Sequence, residues 1–257
     1  MIIVLDVGNT NTVIGGYEGN ELRFSLRMCS DRTRTADEYV FYLRGLLQDR
    51  QVDLSKVEGG IISSVVPELR YLLRQAMERL TGQKFLVVTN DMNLGGMEIK
   101  MDIPRQLGAD LVVDAVAALS LYQPPLVIFD LGTATTMSVI DAEGNYIGGA
   151  IIPGLRLSMD ALSARAAQLP FINLDEPPMV FIGKNTVDCM KSGAFYSTAA
   201  MLDGMAQRAE DTLGQPVTVV ATGGLMGVVY PFCRRPIHYD ENLLLTGLLR
   251  LYHLNHG

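Results

Sequence analysis

An apolar run that ends in Asp-x-Gly and turns back through hydroxyl-bearing residues occurs twice in this 257-residue chain. No other feature limits its fold as much. The first copy, residues 2–16, reads IIVLDVGNTNTVIGG. It predicts a buried strand ending at Asp6, a tight turn through Gly8 and Asn9, and a return strand. Such a hairpin can hold a polyphosphate. Gly8 lets the backbone come close, and the turn amides, the hydroxyls of Thr10 and Thr12 and the amide of Asn11 can donate to phosphate oxygens. Asp6 can act on phosphate through hydrated Mg²⁺, which takes carboxylate oxygens, waters and substrate phosphates together. Taken alone, the same residues would equally make an ordinary hairpin with a polar turn.

The second copy, residues 127–145, reads VIFDLGTATTMSVIDAEGN. Aligned on the first, Asp130 falls on Asp6, Gly132 on Gly8 and Thr136 on Thr12. After one inserted residue, Glu143-Gly144-Asn145 falls on Glu18-Gly19-Asn20. A duplicated unit follows, with two hairpins able to clamp a nucleotide from both sides. The paired pattern resembles the acetate and sugar kinase, Hsp70 and actin superfamily.

Composition narrows the function. An apolar fraction of 48% and a charged fraction of 19% belong to a chain that buries a core. A net charge of −7 without a basic run argues against a nucleic-acid partner. Cys29, Cys189 and Cys233 have neither disulfide-framework nor zinc spacing. His253 and His256 read as part of a fraying tail. No basic signal region opens the sequence and no apolar run reaches spanning length, so a cytoplasmic protein without membrane contact is expected.

Along the chain, strands over 2–16 and 21–29 precede a polar stretch, 27–34, read as a mobile loop. Thr35 and Glu38 form a capping-box signal. The helix that follows places Tyr39, Tyr42, Leu43, Leu46 and Leu47 on one face. A strand over 59–63, a helix over 68–81 and a strand over 85–88 complete the order β-β-β-α-β-α-β of a ribonuclease-H-like domain. A long loop, 90–105, leads to a helix opening at Gly108-Ala109-Asp110 and broken at Gln123-Pro124-Pro125. The expected fold is α/β, with two ribonuclease-H-like domains, residues 1–122 and 123–257, and a cleft between them. In the second half, Thr186 reads as the N-cap of a long helix. Thr222-Gly223-Gly224 closes a strand, either as a flat seat for adenosine or as a simple βα turn.

Asp6–Thr12, Gly108-Ala109-Asp110, Asp130–Thr136, Gly148-Gly149 with Pro153-Gly154-Leu155, Gly183–Thr186 and Thr222-Gly223-Gly224 occur in the order and spacing of the type III pantothenate kinases, which the whole chain resembles. The resemblance implies ATP-dependent phosphorylation of pantothenate at its primary hydroxyl, the first step of coenzyme A synthesis. It also implies a homodimer, Mg²⁺ and a monovalent cation, K⁺ or NH₄⁺. Carried over by residue, it assigns ATP phosphates and Mg²⁺ to Asp6, Val7, Gly8, Asn9, Thr10, Asn11, Thr12 and Val13. Thr133, Gly223 and Gly224 join them as ATP contacts. Asp130 becomes the monovalent-cation ligand and Asp110 the base. Gly108, Ala109, Asp110 and Leu111, with Thr186 from across the dimer interface, contact substrate. At a helix start Asp110 is expected to stay ionised, and an N-capping role is compatible with that.

Two positions depart from the family pattern. The Arg usual after Gly-Ala-Asp is Leu111, and the usual Tyr of the preceding loop is Met101. A lost Arg–carboxylate pairing is hard to replace; Arg105 and Lys100 are the nearby cations. Three readings follow: a pantothenate kinase with a modified acceptor pocket, a kinase of this fold acting on another small hydroxylated acceptor, and a non-catalytic ATP-binding regulator. Retention of Asp6, Asp110 and Asp130 counts against the third.

Overall fold

In the computed structural model, which describes residues 1–256, the chain opens with β1 (Ile2–Val7), β2 (Asn11–Glu18), β3 (Glu21–Cys29), α1 (Ala36–Asp49), β4 (Gly59–Ser64), α2 (Pro67–Thr81), β5 (Phe85–Val87) and α3 (Ala109–Leu121). It continues with β6 (Leu126–Leu131), β7 (Ala134–Ile140), β8 (Tyr146–Pro153), α4 (Leu155–Arg165), α5 (Thr186–Leu213), β9 (Thr218–Thr222), α6 (Met226–Val229), β10 (His238–Tyr239) and α7 (Leu243–Asn255). The strands form two five-stranded sheets of order β3-β2-β1-β4-β5 and β8-β7-β6-β9-β10. In each, the first three strands are antiparallel neighbours and the last two join in parallel. The same topology thus appears twice, as the α/β reading of the sequence expects.

Two compact units result. One comprises Met1–Met97, Asp102–Ala117 and the chain from Leu243; the other comprises Glu98–Met101 and Ala118–Asn242. Three segments therefore group differently from a division at residue 122: residues 98–101, residues 118–122 and the chain from Leu243. Helix α7 packs on β1 and β4 of the first unit. Glycines make this close approach possible: side chains at Gly15, Gly59 and Gly247 would meet Leu245, Tyr252 and the Val113 backbone respectively. Residues 98–101 instead pair with β8, where Lys100 N donates to Tyr146 O at 2.8 Å and Tyr146 N to Glu98 O at 2.8 Å.

Alternation on β1 sends Ile3, Leu5 and Val7 to one face, where they pack with Ile62, with Tyr39, Leu43 and Leu47 of α1 and with Leu69, Leu73, Ala76 and Met77 of α2. Tyr42, expected on the inner face of α1, is 43% exposed and lies under the Arg34 guanidinium, 3.9 Å from its ring centroid. In the second unit, Val127, Phe129 and Leu131 pack against Ala194, Phe195, Ala199, Leu202 and Ala206 of α5.

The helix ends follow local chemistry. Thr35 and Glu38 close the capping box of α1, and Pro67 opens α2, which ends at Gly82 with φ +69°. The cap of α5 is Asn185, not Thr186: its side-chain oxygen accepts from Asp188 N at 2.9 Å, and Thr186 becomes the first helical residue. Asn is the stronger N-cap of the two. The C-terminal histidines do not lie in a frayed tail, since α7 runs to Asn255 and the His256 ring stacks on Tyr252 with centroids 4.6 Å apart. No helix among the described residues is long and apolar enough to cross a membrane.

Candidate active site

Register determines what the first hairpin offers. Asp6 pairs with Val13 and Val7 with Thr12, leaving residues 8–11 as the turn. Gly8 N donates to Asn11 O at 3.0 Å. Asn9 and Thr10 are exposed, Asp6 and Asn11 half-buried. Thr12, expected as a phosphate donor, is fully buried, and its hydroxyl hydrogen-bonds Ser30 Oγ at 2.9 Å. The outward donors of the turn therefore come from residues 9–11.

The stretch 30–34, read as mobile, is pinned beside this turn. Ser30 N donates to Thr10 O at 3.0 Å, and Arg32 Nη2 donates to Asn9 Oδ1 at 2.8 Å. Asp31 accepts from the Thr33 amide and hydroxyl at 2.9 and 2.6 Å, and Tyr39 OH donates to Asp31 O at 2.7 Å. These Thr33 bonds hold the Asp31 carboxyl below its ordinary range. Arg32 engages the carbonyl end of the Asn9 amide, so the Asn9 NH₂ points elsewhere. Arg32 escaped the reading of the sequence. Its place follows from strand pairing, because a β3 that ends at Cys29 opposite Asn11 delivers the next residues beside the turn.

The second hairpin is tighter. Asp130 pairs with Thr136 and Leu131 with Thr135, so residues 132–134 alone make the turn, closed by Gly132 N donating to Ala134 O at 3.1 Å. By register the counterpart of Thr12 is Thr135, not Thr136; both are fully buried or nearly so. Sequence alignment without gaps misses this, because the second hairpin loses one residue at this turn and regains one at the next. Gly132 and Thr133 are exposed. Glycines back the turn closely: a Cβ on Gly154 would collide with the carbonyl oxygens of Gly132 and Thr133, and one on Gly223 with Leu131 N and the Asp130 carboxylate. Gly223 has φ +99°, open to glycine at little cost. Asp130, Thr133, Gly223 and Gly224 thus come together in the second unit, on a surface where backbone can meet a ligand directly.

Asp110 is the second residue of α3. Its Oδ1 accepts from Leu111 N at 2.9 Å, and its carboxylate folds over Gly108, into space a side chain there would occupy. This local arrangement explains the Gly-Ala-Asp spacing. The expectation that the helix start would keep this carboxyl at low pKa is corrected. Burial pushes it above the ordinary carboxylate range and outweighs the amide hydrogen bonds from Leu111 and from its own backbone, which pull it down. Desolvation makes Asp110 a stronger base than an exposed aspartate.

Of the two nearby cations, Lys100 is paired with Asp141 in the second unit at 3.7 Å. Arg105 is exposed in the turn Pro104–Gln106, just before Gly108, and forms no salt bridge among the described residues. Thr186 is exposed and lines a cavity of about 900 Å³ in the second unit, together with Thr135, Leu155, Met159, Met190 and Met201. Among the described residues no group of three or more His, Cys, Asp or Glu side chains could hold a metal ion. A cation here would need phosphate, water or backbone oxygens besides a carboxylate.

Known proteins are similar to this chain over nearly all of its length. The family model of type III pantothenate kinase matches residues 2–208. A type III pantothenate kinase from Moorella thermoacetica is 42% identical over 255 residues, covering 99% of this chain and 100% of that protein. Another from Exiguobacterium is 43% identical over 255 residues, covering 99% of each. Among solved structures, the ROK hexokinase from Thermus thermophilus superposes with a TM-score of 0.52 at 14% identity over 98% of both chains, a likeness of fold alone. On the family match and on identity sustained from end to end, the chain belongs to the type III pantothenate kinase family.

Proposed function

We propose that this protein transfers the γ-phosphoryl group of ATP to the primary hydroxyl of pantothenate, giving 4'-phosphopantothenate for coenzyme A synthesis. The observation that carries this reading is Asp110: a desolvated carboxylate, held over a glycine at a helix start, in a chain of this family. Asp110 accepts the hydroxyl proton as the substrate oxygen bonds to γ-phosphorus and the bond to the bridging oxygen of ADP breaks. Phosphoryl transfer depends mainly on alignment and charge stabilisation, so a modest base suffices.

Residues 9–11 of the first turn donate to the phosphates, while Val7, Gly8, Thr12 and Val13 hold its frame. Thr133 and the backbone around Gly223 and Gly224 receive the nucleotide on the second unit. Mg²⁺ bound with ATP would neutralise phosphate charge, and Asp6, half-buried at its strand end, is the carboxylate that suits its hydration shell. Asp130, packed against Gly223, is the carboxylate available to a K⁺ or NH₄⁺ ion. Gly108, Ala109, Leu111 and Thr186 contact the acceptor. The matching registers of the two units support descent from one duplicated domain. A homodimer is part of the reading, supported by exposed Phe171, Met179, Phe181 and Ile182 just ahead of Thr186. A stable, active monomer in light scattering would contradict it. A cytoplasmic location, where ATP is supplied, completes the reading.

A coupled ADP-release assay with pantothenate, MgATP and K⁺, beside a control without pantothenate, tests the proposal. Pantothenate-dependent turnover is expected. ATP binding without such turnover would favour a second reading, another hydroxylated acceptor, for which apolar Leu111 and Met101 are the specific observations.

A further inference from the structure

Beside Asp6, on the neighbouring strand, lies a polar group that the reaction above does not use. Ser63 is completely buried, and its hydroxyl has no hydrogen-bond partner in the protein. A buried hydroxyl without a partner is costly, and Ala would remove the cost with little change in volume. Ser63 is the parallel register partner of Asp6. Parallel register partners put their side chains on the same face of a sheet. Here it is the face opposite the α1–α2 core, because Leu5 and its partner Ile62 point into that core. Strands sit about 4.8 Å apart, a separation at which one water can join a carboxylate on one strand to a hydroxyl on the next.

The second unit repeats the arrangement. Asp130 has Thr222 as its parallel register partner, and Thr222 is also buried. A hydroxyl residue thus stands beside the strand-end aspartate in both sheets, although the sequences around Ser63 and Thr222 have little else in common.

We infer that Ser63 is a positioning residue of the nucleotide site: its hydroxyl orders the water through which Asp6 acts on the divalent cation that accompanies ATP. The inference rests on the reading of Asp6 given above. Ser63 touches neither nucleotide nor acceptor, and its hydroxyl finds its partner in the hydration shell that arrives with the bound nucleotide.

Calorimetric titration of ADP into the full-length protein, with Mg²⁺ and with EDTA, tests this alongside the thermal midpoint of the nucleotide-free protein. Ser63→Ala is expected to bind ADP about tenfold more weakly in Mg²⁺, the scale of one hydrogen bond to a charged assembly. In EDTA its affinity should match wild type, and its midpoint should be equal or higher. Ser63→Thr, the residue type at the equivalent place in the second unit, should restore the Mg²⁺-dependent affinity. If Ser63→Ala does not fold, Ser63→Cys, close in volume and a weak donor, is expected to show the same Mg²⁺-specific loss. Equal Mg²⁺ dependence in variant and wild type would overturn the inference, as would an equal loss with and without Mg²⁺. Wild-type protein that bound ADP equally well in Mg²⁺ and EDTA would remove the reading of Asp6 itself, and the role of Ser63 with it.

Discussion

The two Asp-x-Gly hairpins share strand order, register and a buried threonine, yet they present different chemistry. The first has a four-residue turn and a polar loop pinned alongside, so it offers side chains: Asn9, Thr10, Asn11 and Arg32. The second has a three-residue turn of small residues against Gly154 and Gly223, so it offers backbone. One residue of turn length separates them. A shorter turn leaves less room for side chains, and the glycines behind it let other chain segments close in. A duplicated unit can in this way present different chemistry at equivalent turns without a change of fold.

The largest expected effect lies outside both hairpins and sets the scale for them. Asp110→Asn should lower kcat by about 10²–10⁴-fold, the usual contribution of a general base, in the ADP-release assay. The sign of its pH dependence follows from burial. The folded-state pKa is raised above the unfolded one, so the proton is bound more tightly in the folded protein. The stability associated with this group is present below the unfolded pKa and is lost as pH rises through the raised folded value. At neutral pH Asp110→Asn should therefore have an equal or higher thermal midpoint, and the acid limb of the wild-type rate profile should lie above the range of an ordinary carboxylate. A loss of midpoint with unchanged kcat would mean that the carboxylate only caps the helix.

Glycine substitutions separate the two hairpins next. Gly154→Ala drives a Cβ into two carbonyl oxygens of the second turn. It should cost about 1–3 kcal/mol, the usual scale of overpacking, and weaken nucleotide binding in calorimetry. Gly8→Ala meets a single carbonyl, Asn11 O, at 3.1 Å, and should be milder by both measures. Equal effects would show that the first turn relies on close backbone as much as the second.

Arg105→Ala is expected to raise the KM for pantothenate about tenfold, the loss of roughly one charged hydrogen bond, with little change in the KM for ATP. An unchanged pantothenate KM would remove Arg105 as the cation that replaces the missing arginine at Leu111. The smallest effect is expected at Thr12→Val, which deletes the bond to Ser30 and should lower stability by about 1 kcal/mol in urea unfolding. The ATP affinity should move little, because the outward donors of the turn remain. A large loss of affinity would return Thr12 to the phosphate contacts.

Much of the candidate site is legible in the sequence because it lies on short local motifs. Asp6, Asp130 and Gly223 sit at strand ends whose apolar runs announce them, and Gly108 and Asp110 are near neighbours whose contact needs no tertiary partner. Arg32 and Ser63 were not legible. Arg32 acquires its place only when β3 pairs with β2, and Ser63 only when β4 inserts beside β1. The difference between Thr135 and Thr136 also needs the ladder, since a turn shorter by one residue leaves the composition of the motif almost unchanged.

The sequence by itself determined the two-fold α/β plan, the hairpin motifs, the family and the identity of the strand-end carboxylates, because periodicity and turn chemistry act over a few neighbouring residues. Tertiary structure decided the rest. It assigned α7 to the first unit through glycines that admit a close helix, buried Thr12 against Ser30, and committed Lys100 to Asp141 while leaving Arg105 exposed. It also reversed the expected direction at Asp110. A helix start favours the charged form through nearby amides, but the extent of desolvation depends on what packs around the carboxylate, and that is set by chain segments far away in sequence.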